Sequence, residues 1–150
     1  MELPQIILLI NCFATLYMVG VIWMVQIVAY PLFASVGENE SPAYQKRHQI
    51  LTTLVVGPPM VFEAFSSVFL AWYPPPGIGY PIIFAGIILV FIIWISTAAL
   101  QIPSHEKLLH GFTPKVHNDL VFTNWIRTLS WSARGFLVVW MLALLLSSHQ

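Results

Sequence analysis

The sequence has few charged residues, since Asp, Glu, Lys and Arg make up 8% of its 150 residues. A soluble domain carries roughly 25%. Six basic and six acidic residues cancel to a formal net charge of zero, so bulk charge indicates no nucleic acid as partner. The only cysteine, Cys12, excludes an intrachain disulfide and thiol-pair chemistry. With 58% hydrophobic residues, the composition predicts a small integral membrane protein whose main partner is the lipid bilayer.

Four apolar runs are each long enough to cross a bilayer, which takes ~20 helical residues. The predicted spans are residues 5–30, 50–73, 80–102 and 120–146. They predict an all-α fold, an integral membrane four-helix bundle that forms one domain over residues 1–150. Proline at position 31 is expected to end the first span.

The two long loops between spans carry helix start and stop signals. Ser41, followed by proline, is expected to start a helix that runs into the second span. Ser104 is expected to cap a short helix over residues 105–110, which Gly111 would end. A Thr-Pro pair predicts that the fourth helix begins near Lys115. We therefore expect short amphipathic helices in both loops.

Basic residues predict the orientation in the membrane. All six lie in loops 31–49 and 103–119 or on the fourth span toward them: Lys46, Arg47, Lys107, Lys115, Arg127 and Arg134. The positive-inside rule then places both long loops in the cytoplasm and both termini outside. The predicted location is the bacterial inner, or cytoplasmic, membrane.

Two ionisable residues fall deep inside predicted spans. Glu63 and Arg134 lie roughly 15 and 18 Å from the outer ends of the second and fourth spans. A charge in hydrocarbon costs several kcal/mol unless it is paired or wetted. Two interpretations stay open: an ion pair that only holds two helices together, and a catalytic site in which Glu63 carries a proton and Arg134 tunes its acidity.

Helical phase adds polar side chains to this site. Arg127 and Arg134 are seven residues apart, as are Asn124 and Trp131, so each pair shares a direction on the fourth helix. The alternatives are that Arg127 only reaches the headgroups, and that Gln26 and Asn124 only join helices by hydrogen bonds. The predicted catalytic residues are Glu63, Arg134 and Asn124, and the predicted substrate-binding residues are Arg127, Gln26 and Trp131.

Histidines gather at the cytoplasmic ends of the spans. We predict that His48, His105 and His117, which come from different helices, are ligands of a metal ion or a haem. His105 and His110 are five residues apart, a poor spacing for one metal on one helix. The alternative is that all of these are interface histidines with no ligand role.

The segment 46–60 resembles the start of the second helix of the small bacterial protoporphyrinogen oxidases, four-span proteins that bind haem. The similar residues are Lys46-Arg47, Thr52-Thr53 and Gly57-Pro58-Pro59-Met60. The resemblance implies a haem cofactor and an oxidoreductase activity. The first-span histidine of that family has no counterpart, because no histidine precedes His48.

Three functions are compatible with a polar interior in a four-span protein. The favoured one is a membrane-embedded enzyme or cofactor-binding protein that performs redox or proton-transfer chemistry on a lipophilic substrate. The alternative is a non-catalytic accessory subunit of a larger respiratory or photosynthetic membrane complex. The third is a proton-coupled transporter working as a homo-oligomer, with Glu63 as the exchanging carboxylate.

Overall fold

A computed structural model describes residues 2–147, and every regular element in this part of the chain is a helix, with no strand. Four long helices make up the fold: α1 (Leu3–Ser35), α2 (Ser41–Trp72), α3 (Tyr80–Leu109) and α4 (Pro114–Ser147). All four are long and apolar enough to cross a membrane. The predicted class of a four-span membrane protein is confirmed at this level.

Two hydrophobic clusters define how the helices pack. In the first, Leu8 near the start of α1 packs with Leu70 at the end of α2, Ile83 at the start of α3 and Met141 near the end of α4. The second cluster joins the later part of α1 to the first half of α4. Consecutive helices therefore run in opposite directions.

One end of the bundle carries the lysines and the loop arginine, and we call it the basic end. It consists of the end of α1, the start of α2, the end of α3 and the start of α4. Lys46 and Arg47 are exposed on α2 there, and Lys107 is exposed on α3. The opposite end holds the short connection between α2 and α3, where Gly77 takes a φ of 78° that suits glycine.

Two helices begin where the proline signals predict. Helix α2 starts at Ser41 and α4 starts at Pro114, so both extend well before the apolar runs at 50 and 120. The difference arises because hydropathy marks only the residues suited to lipid, whereas the helix also includes the polar turns beyond them. Helix α4 is 34 residues long, or about 51 Å at 1.5 Å per residue.

Two π-helical turns interrupt the α-helical pattern, at Val25–Ala29 in α1 and Thr97–Gln101 in α3. The predicted end of the first span at Pro31 is wrong, because the chain stays helical to Leu32 and closes with a 3-10 turn at Phe33–Ser35. In the π turn the Tyr30 N–H already reaches back to the Val25 carbonyl. This shifted ladder lets the chain pass Pro31 in a helical conformation.

The predicted separate helix after Ser104 is not observed. Helix α3 continues through its π turn, and Ile102–Leu109 forms its last α-helical part. The Ser104 hydroxyl donates to the Leu100 carbonyl at 2.8 Å, so it lies inside the helix and caps nothing. The helix ends just before Gly111, whose φ of 137° ordinary residues avoid.

Candidate functional site

Glu63 and Arg134 form a buried ion pair in the interior. The Arg134 Nε donates to Glu63 Oε1 at 2.7 Å, and each side chain is about 1–2% exposed. The Thr15 hydroxyl donates to the same carboxylate oxygen at 2.7 Å. The Trp131 indole N–H donates to the other oxygen, Oε2, at 2.9 Å. Both carboxylate oxygens are therefore occupied by protein donors.

The rest of the Arg134 guanidinium is equally well satisfied. Its Nη1 donates to the Gly86 carbonyl, and its Nη2 lies 3.1 Å from the Ser67 hydroxyl and 3.2 Å from Asn11 Oδ1. The amide of Asn11 in turn donates to the hydroxyls of Ser66 and Ser67. The bonds donated by the Arg134 guanidinium are charge-assisted, and such bonds are stronger than those between neutral groups.

These residues form what we call the staple network: Asn11, Thr15, Glu63, Ser66, Ser67, Gly86, Trp131 and Arg134. They come from all four helices. Only about 10 Å³ of free space adjoins the network, around Arg134 and Gly86. This is about the volume of one water probe. The network is therefore tightly packed, and the Glu63 carboxylate and the Arg134 guanidinium both have protein partners on every nitrogen or oxygen.

A larger cavity of about 160 Å³ lies nearer the basic end. Apolar side chains of α1 and α2, such as Met18, Ile22 and Val56, form part of its wall. The polar part of the wall comes from all four helices: Tyr30, His48, Gln49, Thr52, Gln101, His105 and Arg127. Both π turns contribute to the wall, through Val25 in α1 and through Thr97 and Gln101 in α3. Such turns often occur at functional sites.

Arg127 is a buried arginine in the wall of this cavity. It is 6% exposed, and among residues 2–147 it makes no ion pair. Its guanidinium lies 5.1 Å from the centre of the Trp131 ring, a cation–π contact. Its Nη1 donates to Asn124 Oδ1 at 3.3 Å, and its Nε has no hydrogen-bond partner in the described chain. Arg127 thus has an unused donor.

A chain of hydrogen bonds fixes where Arg127 lies. The Gln26 amide donates to the Val121 carbonyl at 3.1 Å, which leaves Gln26 Oε1 to accept from Asn124 Nδ2 at 2.9 Å. The Thr128 hydroxyl lies 3.2 Å from the same Gln26 oxygen. Asn124 must then turn its own oxygen toward Arg127. Gln26 and Asn124 are both buried, and they act here by positioning Arg127.

Tyr30 and His105 extend the polar wall toward the basic end. The Tyr30 hydroxyl lies 2.9 Å from His105 Nε2, and it is also close enough to the Arg127 guanidinium for an electrostatic interaction. Because a guanidinium only donates, the phenol turns its own hydrogen toward His105. The other nitrogen of His105, Nδ1, has no partner in residues 2–147. The His48 ring lies beside His105, with centroids 6.0 Å apart.

Gln101 places an oriented acceptor in the cavity wall. Its Nε2 lies 3.0 Å from the Thr123 hydroxyl, which itself donates to the Asp119 carbonyl. The Thr123 oxygen therefore accepts from Gln101, and this fixes which end of the amide is the oxygen. That oxygen, Gln101 Oε1, is buried and has no partner among the described residues.

The predicted metal and haem ligands are only partly brought together. His48 and His105 are neighbours, but the His117 Nε2 is bonded to the Tyr30 carbonyl at 2.8 Å and its ring packs against Phe112. No group of three His, Cys, Asp or Glu residues within 2–147 is placed to hold a metal ion. A cavity of about 160 Å³ matches one aromatic ring and not a tetrapyrrole. The residues present therefore do not fit a haem.

Among the predicted catalytic and substrate-binding residues, the structure separates two groups. Glu63, Arg134 and Trp131 belong to the staple network, whereas Arg127 lines the cavity and is held by Gln26 and Asn124 through hydrogen bonds. Sequence reasoning missed Tyr30 and Thr123 as site residues. Tyr30 ends the apolar run just before a proline, and no polar pattern marks it.

Comparisons of the chain with protein-family models, curated proteins and solved structures gave no match.

Proposed function

We propose that this protein binds a lipophilic molecule with an oxygen-bearing head in the cavity beside Arg127, and acts on it as a membrane-embedded enzyme or redox or proton-transfer protein. The observation that supports this most is the buried Arg127 guanidinium, which has an unused donor next to a mixed polar and apolar cavity. A buried charge without an ion-pair partner is costly to keep. Residues held at such a cost in a membrane helix are functional hypotheses by default.

The route into the cavity supports a lipophilic ligand. Its rim includes Thr53 on α2 and Ile102 and Glu106 on α3, and all three are exposed on the sides of the helices. In a bilayer this rim faces lipid near one interface. A molecule dissolved in that leaflet would reach the cavity sideways, with its polar head toward Arg127 and its tail among the lipid chains.

In this proposal the staple network has a structural role: the Glu63–Arg134 ion pair holds helices together. Glu63 has all its protein partners in place, and Arg134 meets five acceptors from three helices. A catalytic carboxylate needs access to a substrate proton, directly or through one water. The network offers no such access. The catalytic assignment of Glu63 is therefore replaced by that of a group holding the cavity in shape.

The membrane orientation belongs to the same proposal. With the basic end in the cytoplasm and both termini outside, the cavity opens to the inner leaflet of a bacterial cytoplasmic membrane. His105, Glu106 and Lys107 then lie at the cytoplasmic boundary. In this orientation the hydrogen-bonded pair of Tyr30 and His105 extends from the cavity toward the cytoplasmic end of the bundle.

The experiment is purification from native membranes in mild detergent, followed by an absorption spectrum and mass spectrometry of the organic extract. We expect a lipophilic molecule at near-stoichiometric amount with the wild type. The variant Arg127→Gln should lose it, whereas Arg47→Gln, which removes an exposed arginine, should retain it. Identical extracts from all three proteins would refute the proposal.

The same preparation tests the alternatives. Elution with other subunits at fixed stoichiometry, and no bound small molecule, would favour the accessory-subunit interpretation. Elution alone, with no bound molecule and with proton-driven transport that depends on Glu63 after reconstitution, would favour the transporter.

A further inference from the structure

We infer that the ligand of the cavity is a lipid-tailed quinol, with its single dihydroxy aromatic ring seated between Arg127 and Gln101. This inference rests on the proposed function and specifies the class of ligand. Its grounds are the volume of the cavity, the balance of donors and acceptors in the wall, and the open rim between α2 and α3.

The volume selects the size of the head. An apolar cavity of about 150 Å³ in a protein core accommodates one benzene ring. The cavity here is about 160 Å³, so it holds one six-membered ring with small substituents and no fused ring system. Met18, Val21, Ile22, Val25 and Val56 supply apolar surface for the faces of such a ring.

The unsatisfied groups of the wall select the chemistry of the head. Arg127 Nε is an unpartnered donor, and Gln101 Oε1 is an unpartnered acceptor whose orientation Thr123 fixes. A buried polar atom without a partner costs about 1–3 kcal/mol, so a ligand that pairs both is favoured. A hydroxyl group both donates and accepts, which lets a quinol satisfy both atoms.

Oxygen-bearing heads that only accept hydrogen bonds leave one of these groups unsatisfied. A carboxylate only accepts, so it suits Arg127 but sets oxygen against oxygen at Gln101. The oxidised quinone has the same defect, because its two carbonyl oxygens carry no hydrogen. The wall should therefore prefer the reduced ring to the oxidised ring. His105 Nδ1 and Gln49 Nε2 are further unpartnered atoms of the wall.

The rim accounts for the tail. Thr53 and Ile102 are exposed where the cavity meets the surface of the bundle, so a substituent on the ring leaves between α2 and α3 into the lipid. The tail then needs no pocket of its own. This agrees with a cavity that is smaller than the 300–1,000 Å³ of sites that enclose a whole drug-sized ligand.

The test is a titration of delipidated wild-type protein in detergent with three probes: decylubiquinol under anaerobic reducing conditions, oxidised decylubiquinone, and dodecanoic acid. Binding is followed by the shift in thermal midpoint and by equilibrium dialysis. We expect saturable binding of the quinol, about fivefold weaker binding of the quinone, and weaker binding still of the fatty acid.

Variants locate the site. Arg127→Gln should weaken quinol binding about tenfold or more, and Gln101→Leu should remove the preference for quinol over quinone. Arg47→Gln should leave all three affinities unchanged. The comparison of probes on the wild type needs no variant, so it remains decisive if a substitution impairs folding.

The outcomes separate the two proposals. If dodecanoic acid binds in an Arg127-dependent way and the quinol does not, the ring is wrong and the proposed lipophilic-ligand function stands. If neither probe binds saturably, and native preparations also contain no bound molecule, both proposals fail. Quinol binding that is indifferent to both Arg127→Gln and Gln101→Leu would place the ligand elsewhere and overturn the inference.

Discussion

Two arginines on the same face of α4 have opposite surroundings. Arg134 has a carboxylate partner and donates hydrogen bonds to acceptors on three other helices. Arg127, two turns earlier, has no carboxylate partner within residues 2–147 and keeps an unused donor beside a cavity. Both are almost fully buried. Burial is therefore common to both arginines, and the completeness of their partners is what differs between them.

The largest expected effect comes from removing one member of the ion pair. Arg134→Leu leaves Glu63 charged and buried without its counterion, and should destabilise the folded protein by about 3–5 kcal/mol. Reversible unfolding in mixed micelles, followed by circular dichroism, measures this. The double variant Glu63→Gln/Arg134→Leu should recover most of the loss. If the double variant folds no better than Arg134→Leu alone, the pairing does not explain the stability.

A second test narrows the space around Arg134 without touching a charge. At Gly86 a Cβ atom would lie 3.2 Å from Arg134 Nη1 and 3.3 Å from Leu137 Cδ2, both tight contacts. We expect Gly86→Ala to cost about 1–3 kcal/mol, the usual price of overpacking. The matched control is Gly20→Ala, where a Cβ meets nothing within 4 Å. Equal unfolding midpoints for the two variants would mean that the staple network tolerates displacement.

Arg127→Gln should have little effect on the stability of ligand-stripped protein, within about 1 kcal/mol of the wild type. The variant loses a cation–π contact and the bond to Asn124, but it also relieves the cost of burying a charge that has no counterion. The same micelle unfolding assay measures it. A loss as large as that of Arg134→Leu would contradict the contrast between the two arginines.

The smallest expected effect is that of Thr123→Val, which removes the group that orients the Gln101 amide. The amide can then turn, so ligand affinity should fall a few-fold with almost no change in the unfolding midpoint. Equilibrium dialysis of the bound lipophilic molecule measures this. Unchanged affinity would mean that ligand binding does not depend on the orientation of the Gln101 amide by Thr123.

Much of the fold followed from the sequence because its signals are local. Four apolar runs define the spans, and prolines after Ser41 and Thr113 mark two helix starts. The contact between Glu63 and Arg134 also followed, because two buried charges at matching depth lower their cost by meeting. The difference in partners between Arg127 and Arg134 could not be predicted. It depends on whether a neighbouring helix places a carboxylate at the same depth in the bundle, and the sequence of α4 carries no signal for that.

The two π turns could not be predicted from the sequence either. A π turn fits one more residue into a turn than an α-helix does, and its local sequence carries no signal that periodicity detects. Whole-helix phase was accurate for α4, which is α-helical from Pro114 to Ser147, and it placed Asn124 and Trp131 in the interior correctly.

The π turn at Thr97–Gln101 also has a consequence for comparing this chain with others. Its additional residue rotates everything that follows by about 100° relative to a continuous α-helix. A homologous protein without that residue would align with a gap of one position inside 97–101, and the residues aligned after the gap would face the same direction as here. A one-residue gap there, in an otherwise gapless span, would identify the relatives that lack the π turn.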